Sequence, residues 1–147
     1  MTELFLLAWV FVSAADGDTL TVRNGSQHLT VRLAEVDAPE RTQPHSQVSR
    51  ANLDRRCRDG PVEVRRVYVD RYGRTVAHVR CGGVDVGWRQ VEDGLAWCHP
   101  RYLKHPAECV PREKAAREAK RGLWREPSPQ APWEFRAAKR GRGTPAL

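Results

Sequence analysis

An Asn-Gly pair set between two runs of alternating apolar and polar residues restricts this chain more than any other local feature. Residues 20–23 lie on one side of Asn24-Gly25 and residues 28–36 on the other. Both turn residues adopt left-handed backbone angles readily, so the pair closes a β-hairpin. In its second strand Leu29, Val31 and Leu33 share one face by the two-residue period. Arg32 then points the opposite way, toward a ligand and out of the core.

Pro39 ends this strand, because it has no N–H for a ladder and pushes Ala38 into an extended conformation. Ser46 can cap a helix over residues 46–57, which Asp59-Gly60-Pro61 stops. Residues 62–69 and 75–81 read as two β-branched strands joined across Asp70-Arg71-Tyr72-Gly73-Arg74, a second hairpin. From residue 86 to 97 the period becomes helical, with Trp88, Val91 and Leu95 on one stripe. A further helix is expected over 111–121, with Pro111 in its first turn and Gly122 at its C-terminal cap. Pro127, Pro129 and Pro132 argue against regular structure after Trp124, and residues 137–147 read as a basic, disordered tail. Strands followed by helices predict an α+β, β-rich domain in which a curled sheet, a five-stranded barrel, is packed by three helices.

At 147 residues the chain holds one domain, drawn here over residues 9–136. Residues 1–8 read as an apolar N-terminal segment, the remnant of a leader. Residues 4–12 followed by Ser13-Ala14-Ala15 also fit an export signal with its cleavage region, but Glu3 stands where a positive charge is expected, so a native strand over 9–13 is preferred. The apolar run is too short to span a bilayer.

Twenty-five Lys plus Arg against 18 Asp plus Glu leave a net charge of +7. Such a surface concentrates polyanions, which favours nucleic acid or an acidic membrane as partner. Four cysteines allow three pairings. Cys98 and Cys109 bracket a segment with Pro100 and Pro106, which points to a disulfide-stapled loop in an oxidising, secreted or periplasmic setting. Cys57 and Cys81 stay unassigned. Cys98, His99, His105 and Cys109 do not match a common structural zinc spacing.

Two constellations carry chemistry. Asp16-Gly17-Asp18-Thr19 is joined by Asp37 at the end of the next strand, and a hairpin register that sets Asp18 beside Asp37 offers hard oxygen ligands of the kind calcium takes. Arg32, Glu40 and Arg74 each stand at or just beyond a strand end. Two guanidinium forks match the oxygens of a phosphodiester, and a carboxylate after a rigid proline can take a proton from attacking water.

These motifs, with 31–33 leading into Val36-Asp37-Ala38-Pro39-Glu40, then 70–74, 91–97 and 119–124, resemble in order and spacing those of staphylococcal-nuclease-like proteins. The resemblance covers about residues 9–136. It implies an OB-type barrel with three helices and a calcium-dependent nuclease that cleaves DNA and RNA at the 5′ P–O bond, leaving 3′-phosphates. Carried over by position, Arg32, Glu40 and Arg74 match catalytic residues. Asp18 and Asp37 match calcium carboxylates, the backbone carbonyl of Ala38 a further calcium ligand, and Tyr72 a phosphate-holding position. A monomer with nucleic acid as its partner is implied. Gly87-Trp88 and Cys98-His99-Pro100 depart from the usual pattern. The rival reading is a non-catalytic nucleic-acid-binding barrel, against which the intact Asp18, Arg32, Asp37, Glu40 and Arg74 stand.

Overall fold

The alternating runs become strands with defined partners in a computed structural model that describes residues 9–143. The proposed leader remnant, residues 1–8, and residues 144–147 lie outside the described residues. β1 (Trp9–Asp16) pairs antiparallel with β2 (Thr19–Asn24), which turns through Gly25 at φ 61° into β3 (Gln27–Leu33). The preferred strand reading of residues 9–13 is thus met. β5 (Pro61–Val69) and β6 (Thr75–Cys81) form the second hairpin, with β5 also pairing back onto β1. A parallel pairing of β3 with β6, Val31 opposite Thr75 and Leu33 opposite Ala77, joins the ends of the sheet. The five strands close into a barrel of mixed sense, which leaves few unpaired edges.

Alternation sorts the side chains. Leu20, Val22, Val31, Leu33, Val62, Ala77 and Val79 fill the barrel and are all but inaccessible, while Arg32 and His78 sit on the opposite phase. α1 (Ser46–Cys57) contributes Leu53, and a Cys57–Cys81 disulfide ties its last turn to β6. This pairing was not assignable by spacing alone.

Several boundaries differ from expectation for identifiable reasons. The strand expected to continue to residue 36 breaks at Ala34-Glu35, where Glu35 takes φ 67° and a two-residue strand β4 (Val36–Asp37) restarts beyond it. Ser46 is not the helix cap. His45, left-handed at φ 72°, precedes the helix, and the Ser46 hydroxyl donates to the Arg41 carbonyl at 2.8 Å.

A two-residue strand β7 (Val84–Asp85) leads into α2 (Val86–Glu92), which is capped by the Asp85 carboxylate accepting from Trp88 N–H at 3.0 Å. The helix stops well before residue 97 because Gly94 turns left-handed at φ 76° against the Arg121 carbonyl, too close for any Cβ. Trp97 instead belongs to β8 (Trp97–Cys98), antiparallel to β4. α3 (Pro106–Glu118) starts five residues earlier than expected and ends three residues earlier, with Pro106 at its start and Pro111 inside it. Lys120 at φ 54° carries the left-handed turn after the helix, with Gly122 at φ 49° two residues on. The expected Cys98–Cys109 disulfide is formed.

The largest departure is a fourth helix, α4 (Pro132–Gly143), in place of an irregular segment and of the first part of the expected disordered tail. Pro132 at the first position loses nothing, since its missing N–H would have had no helical partner. Ala131 N–H donates to Glu134 Oε1 at 3.0 Å, a capping interaction three residues long. A second core of Trp97, Ala116, Leu123, Trp124 and Ala131 receives the helix, with Trp133 edge-on to Trp97 at 5.4 Å.

Candidate active site

Asp18 is held at the β1–β2 turn. Its Oδ1 accepts from the Thr19 hydroxyl at 2.9 Å, and its Oδ2 accepts from Ala38 N–H at 2.8 Å, so the turn is tied across to the loop after β4. Gly17 lets the same turn pack closely on α1, because a Cβ there would collide with the Ser49 side chain. Asp37 faces the same point from β4 and is 1% exposed. Burial and the charge of Asp18 push the Asp37 carboxyl above its ordinary range, against the pull of Arg136 and Arg32. Asp16, at the end of β1, is likewise raised by burial and by the charges of Asp18 and Glu40.

Arg32 bridges the two aspartates, with Nη2 3.4 Å from Asp18 Oδ2 and 3.3 Å from Asp37 Oδ1. Its Nη1 donates to the carbonyls of Leu33 at 2.6 Å and Val36 at 2.8 Å. The break at Glu35 folds those carbonyls back over the guanidinium. Arg74 stands just before β6. Because Arg32 pairs with Val76 in the parallel ladder, and 74 and 76 are in phase, the backbone sets both arginines on one face. Arg74 Nε donates to Asp70 Oδ2 at 2.8 Å, and its guanidinium lies 5.5 Å from the Tyr72 ring centroid. Asp70 also caps its own turn, accepting from the N–H groups of Tyr72 and Arg74 at 2.9 Å each. Desolvation alone would raise the Asp70 carboxyl; the hydrogen bonds from Arg74 and Tyr72 hold it below its ordinary value.

Glu40, one residue after Pro39, accepts at Oε2 from Arg136 at 2.7 Å. Arg136 simultaneously reaches Asp37 Oδ2 at 2.8 Å. Burial opposes its charge, but these two carboxylates hold its pKa above the ordinary arginine value. Arg136 was missed by the sequence reading, which ended regular structure at Trp124. The signal that could have found it is Pro132 followed by Glu134, a helix-start pattern. His99 was also missed as a site residue. It lies 4.0 Å from Asp37 Oδ2, beside Tyr102 and Trp133, and burial together with Arg32, Arg136 and Arg101 lowers its pKa to about 4.

Asp18, Arg32, Asp37, Glu40, Tyr72 and Arg74 all line one open groove, and Ala38 is fixed beside Asp18. The groove continues past Arg65, Arg66, Arg101 and Arg140. Closely set carboxylates, flanked by arginine forks in a groove with further arginines along it, suit an anionic chain that needs a cation at one point. The family described as staphylococcal nuclease homologue matches residues 30–126. A micrococcal nuclease of Shigella flexneri is 36% identical over 88% of this chain and 80% of its own length. An uncharacterized endonuclease of Haemophilus influenzae is 35% identical over 85% of this chain and 70% of its own. A probable staphylococcal-like nuclease of rice is 36% identical over 75% of this chain, which spans only 33% of that relative. With the barrel, the groove and these similarities together, the chain belongs to the staphylococcal nuclease family and is a phosphodiester-hydrolysing nuclease.

Proposed function

We propose that this nuclease is calcium-dependent and attacks DNA and RNA alike, breaking the 5′ P–O bond to leave 3′-phosphate ends. The observation that carries the reading is the meeting of Asp18, Asp37, Glu40 and Arg32 in an arginine-lined groove. The donor set fits a hard cation: two buried carboxylates repel one another, and Asp37 is costly to ionise without more positive charge nearby. Calcium held by Asp18, Asp37 and the Ala38 carbonyl would offset charge on a non-bridging phosphate oxygen.

The chain's own residues do the rest. Glu40 accepts the proton of the attacking water, and Arg136 fixes the direction of that carboxylate. Arg32 and Arg74 present forks to the phosphoryl oxygens, whose charge grows as the water approaches and the 5′-oxygen leaves. Tyr72, stacked beside Arg74, helps hold the phosphate. Nothing in this set needs a ribose 2′-hydroxyl, so DNA and RNA are both substrates. Two disulfides are consistent with an exported protein in an oxidising compartment, and the enzyme is expected to work as a monomer.

Digestion of plasmid DNA and of RNA in calcium, in magnesium and in excess chelator tests the proposal. Calcium should support cleavage of both, magnesium far less, and chelator none. Products should require phosphatase treatment of their 3′ ends before extension. Full activity in chelator, or 3′-hydroxyl ends, would overturn it, and DNA binding without cleavage in calcium would favour the non-catalytic barrel.

A further inference from the structure

Glu35, His78 and His105 form a cluster that the nuclease chemistry does not use. Glu35 is buried at the turn between β3 and β4, His78 is on the outward phase of β6, and His105 immediately precedes α3. One ligand atom from each lies within 4.8 Å of the others. Glu35 Oε2 is 2.6 Å from His105 Nδ1 and 3.0 Å from His78 Nε2. We propose that these three side chains bind a zinc ion, as a clip that fastens the segment before α3 to the barrel wall.

Several features shape the cluster toward a metal. Glu35 Oε1 is saturated by the N–H groups of Lys104 at 2.6 Å and His105 at 2.7 Å, which aims Oε2 between the two imidazoles. Asp85 Oδ2 stands 3.7 Å behind His78 Nδ1, where metal-bound histidines commonly find a carboxylate. The Trp88 ring lies 5.6 Å from the His78 ring and limits its swing. Two imidazole nitrogens and one carboxylate oxygen are a zinc donor set, and calcium, which takes oxygen, is excluded by it. Zinc bonds of about 2.0–2.2 Å place tetrahedral ligand atoms about 3.3 Å apart, so the Glu35–histidine separations of 2.6 and 3.0 Å open slightly and the two histidine nitrogens, within 4.8 Å of one another, settle to the same spacing. The half-exposed His105 side chain allows that adjustment and leaves a fourth position for water. The backbone at Glu35, left-handed in a residue that rarely adopts it, is what delivers the carboxylate to this point.

Calorimetric titration of the chelator-treated, disulfide-intact protein with zinc alone tests the clip, alongside the visible spectrum of the cobalt-substituted protein. Expected are one zinc per chain, d–d bands with cobalt, and a melting temperature that rises with zinc concentration. His105→Gln and His78→Gln should each weaken zinc binding by at least about tenfold and remove the melting shift. His105 is exposed enough that its variant should fold, so a folding failure of the His78 variant does not leave the test open. Asp37→Asn should retain the zinc stoichiometry, which separates this site from the nuclease site. Absence of stoichiometric binding would mean a hydrogen-bonded ion network only and would overturn the proposal, as would full affinity in both histidine variants.

Discussion

Arg136 touches Asp37 and Glu40 at once, so its removal frees a buried carboxylate and the proposed proton acceptor together. Arg136→Ala should lower turnover by at least about tenfold, and Arg136→Lys should recover part of it, because charge survives while the two-sided fork is lost. Steady-state rates on single-stranded DNA, with circular dichroism to confirm the fold, measure both; unchanged turnover in the alanine variant would remove Arg136 from the site. Asp70 makes a pH prediction. Its folded pKa is lowered, so its stabilising effect is complete above the unfolded value of about 3.9 and is lost as pH falls through the folded one. The melting difference between the parent and Asp70→Asn should therefore be largest near neutrality and shrink in acid. A difference that grows as pH falls would refute the assignment. Among single residues, Arg32 and Glu40 were legible because strand phase and a proline fix them. His99 and Arg136 were not: His99 is carried to the site by the pairing of β8 with β4, and Arg136 by the docking of α4 on a distant aromatic cluster.

At the scale of elements, the hairpins were readable because a two-residue period and a turn residue each constrain the same register. The helices were read less well. Their ends are set by tertiary contacts such as Gly94 against Arg121, which no periodicity reports. Gly94→Ala adds a Cβ where a carbonyl already sits and φ is 76°, and should cost about 2–3 kcal/mol. Denaturant unfolding measures it, and a cost under about 0.5 kcal/mol would mean the contact between the turns that follow α2 and α3 is looser than described. The disulfides offer a second comparison. Cys57–Cys81 closes a 24-residue separation and Cys98–Cys109 one of 11, worth about 3.5 and about 3 kcal/mol in the chain-entropy model. Loss of both removes an amount comparable to the whole stability of a small domain. Reduction should therefore unfold the protein or bring its melting temperature near ambient, and a reduced protein that melts as the oxidised one does would contradict this.

For the whole molecule, the barrel supplies a rigid rim on which Asp18, Arg32, Asp37 and Arg74 are set by strand ends, and α4 closes one side with Arg136. In the proposed function the charge of +7 and the arginines along the groove serve binding, and the small set around Glu40 serves chemistry. The charge balance was plain from composition, but the groove was not, because it runs across segments far apart in sequence. Binding and chemistry should then separate. The most direct test compares Glu40→Gln with the parent in calcium, measuring both the digestion rate and the affinity for a non-hydrolysable oligonucleotide. The substitution keeps the shape and removes the proton acceptor, so turnover should fall by at least about a hundredfold while affinity changes little. Cleavage by Glu40→Gln at the parental rate would contradict the account.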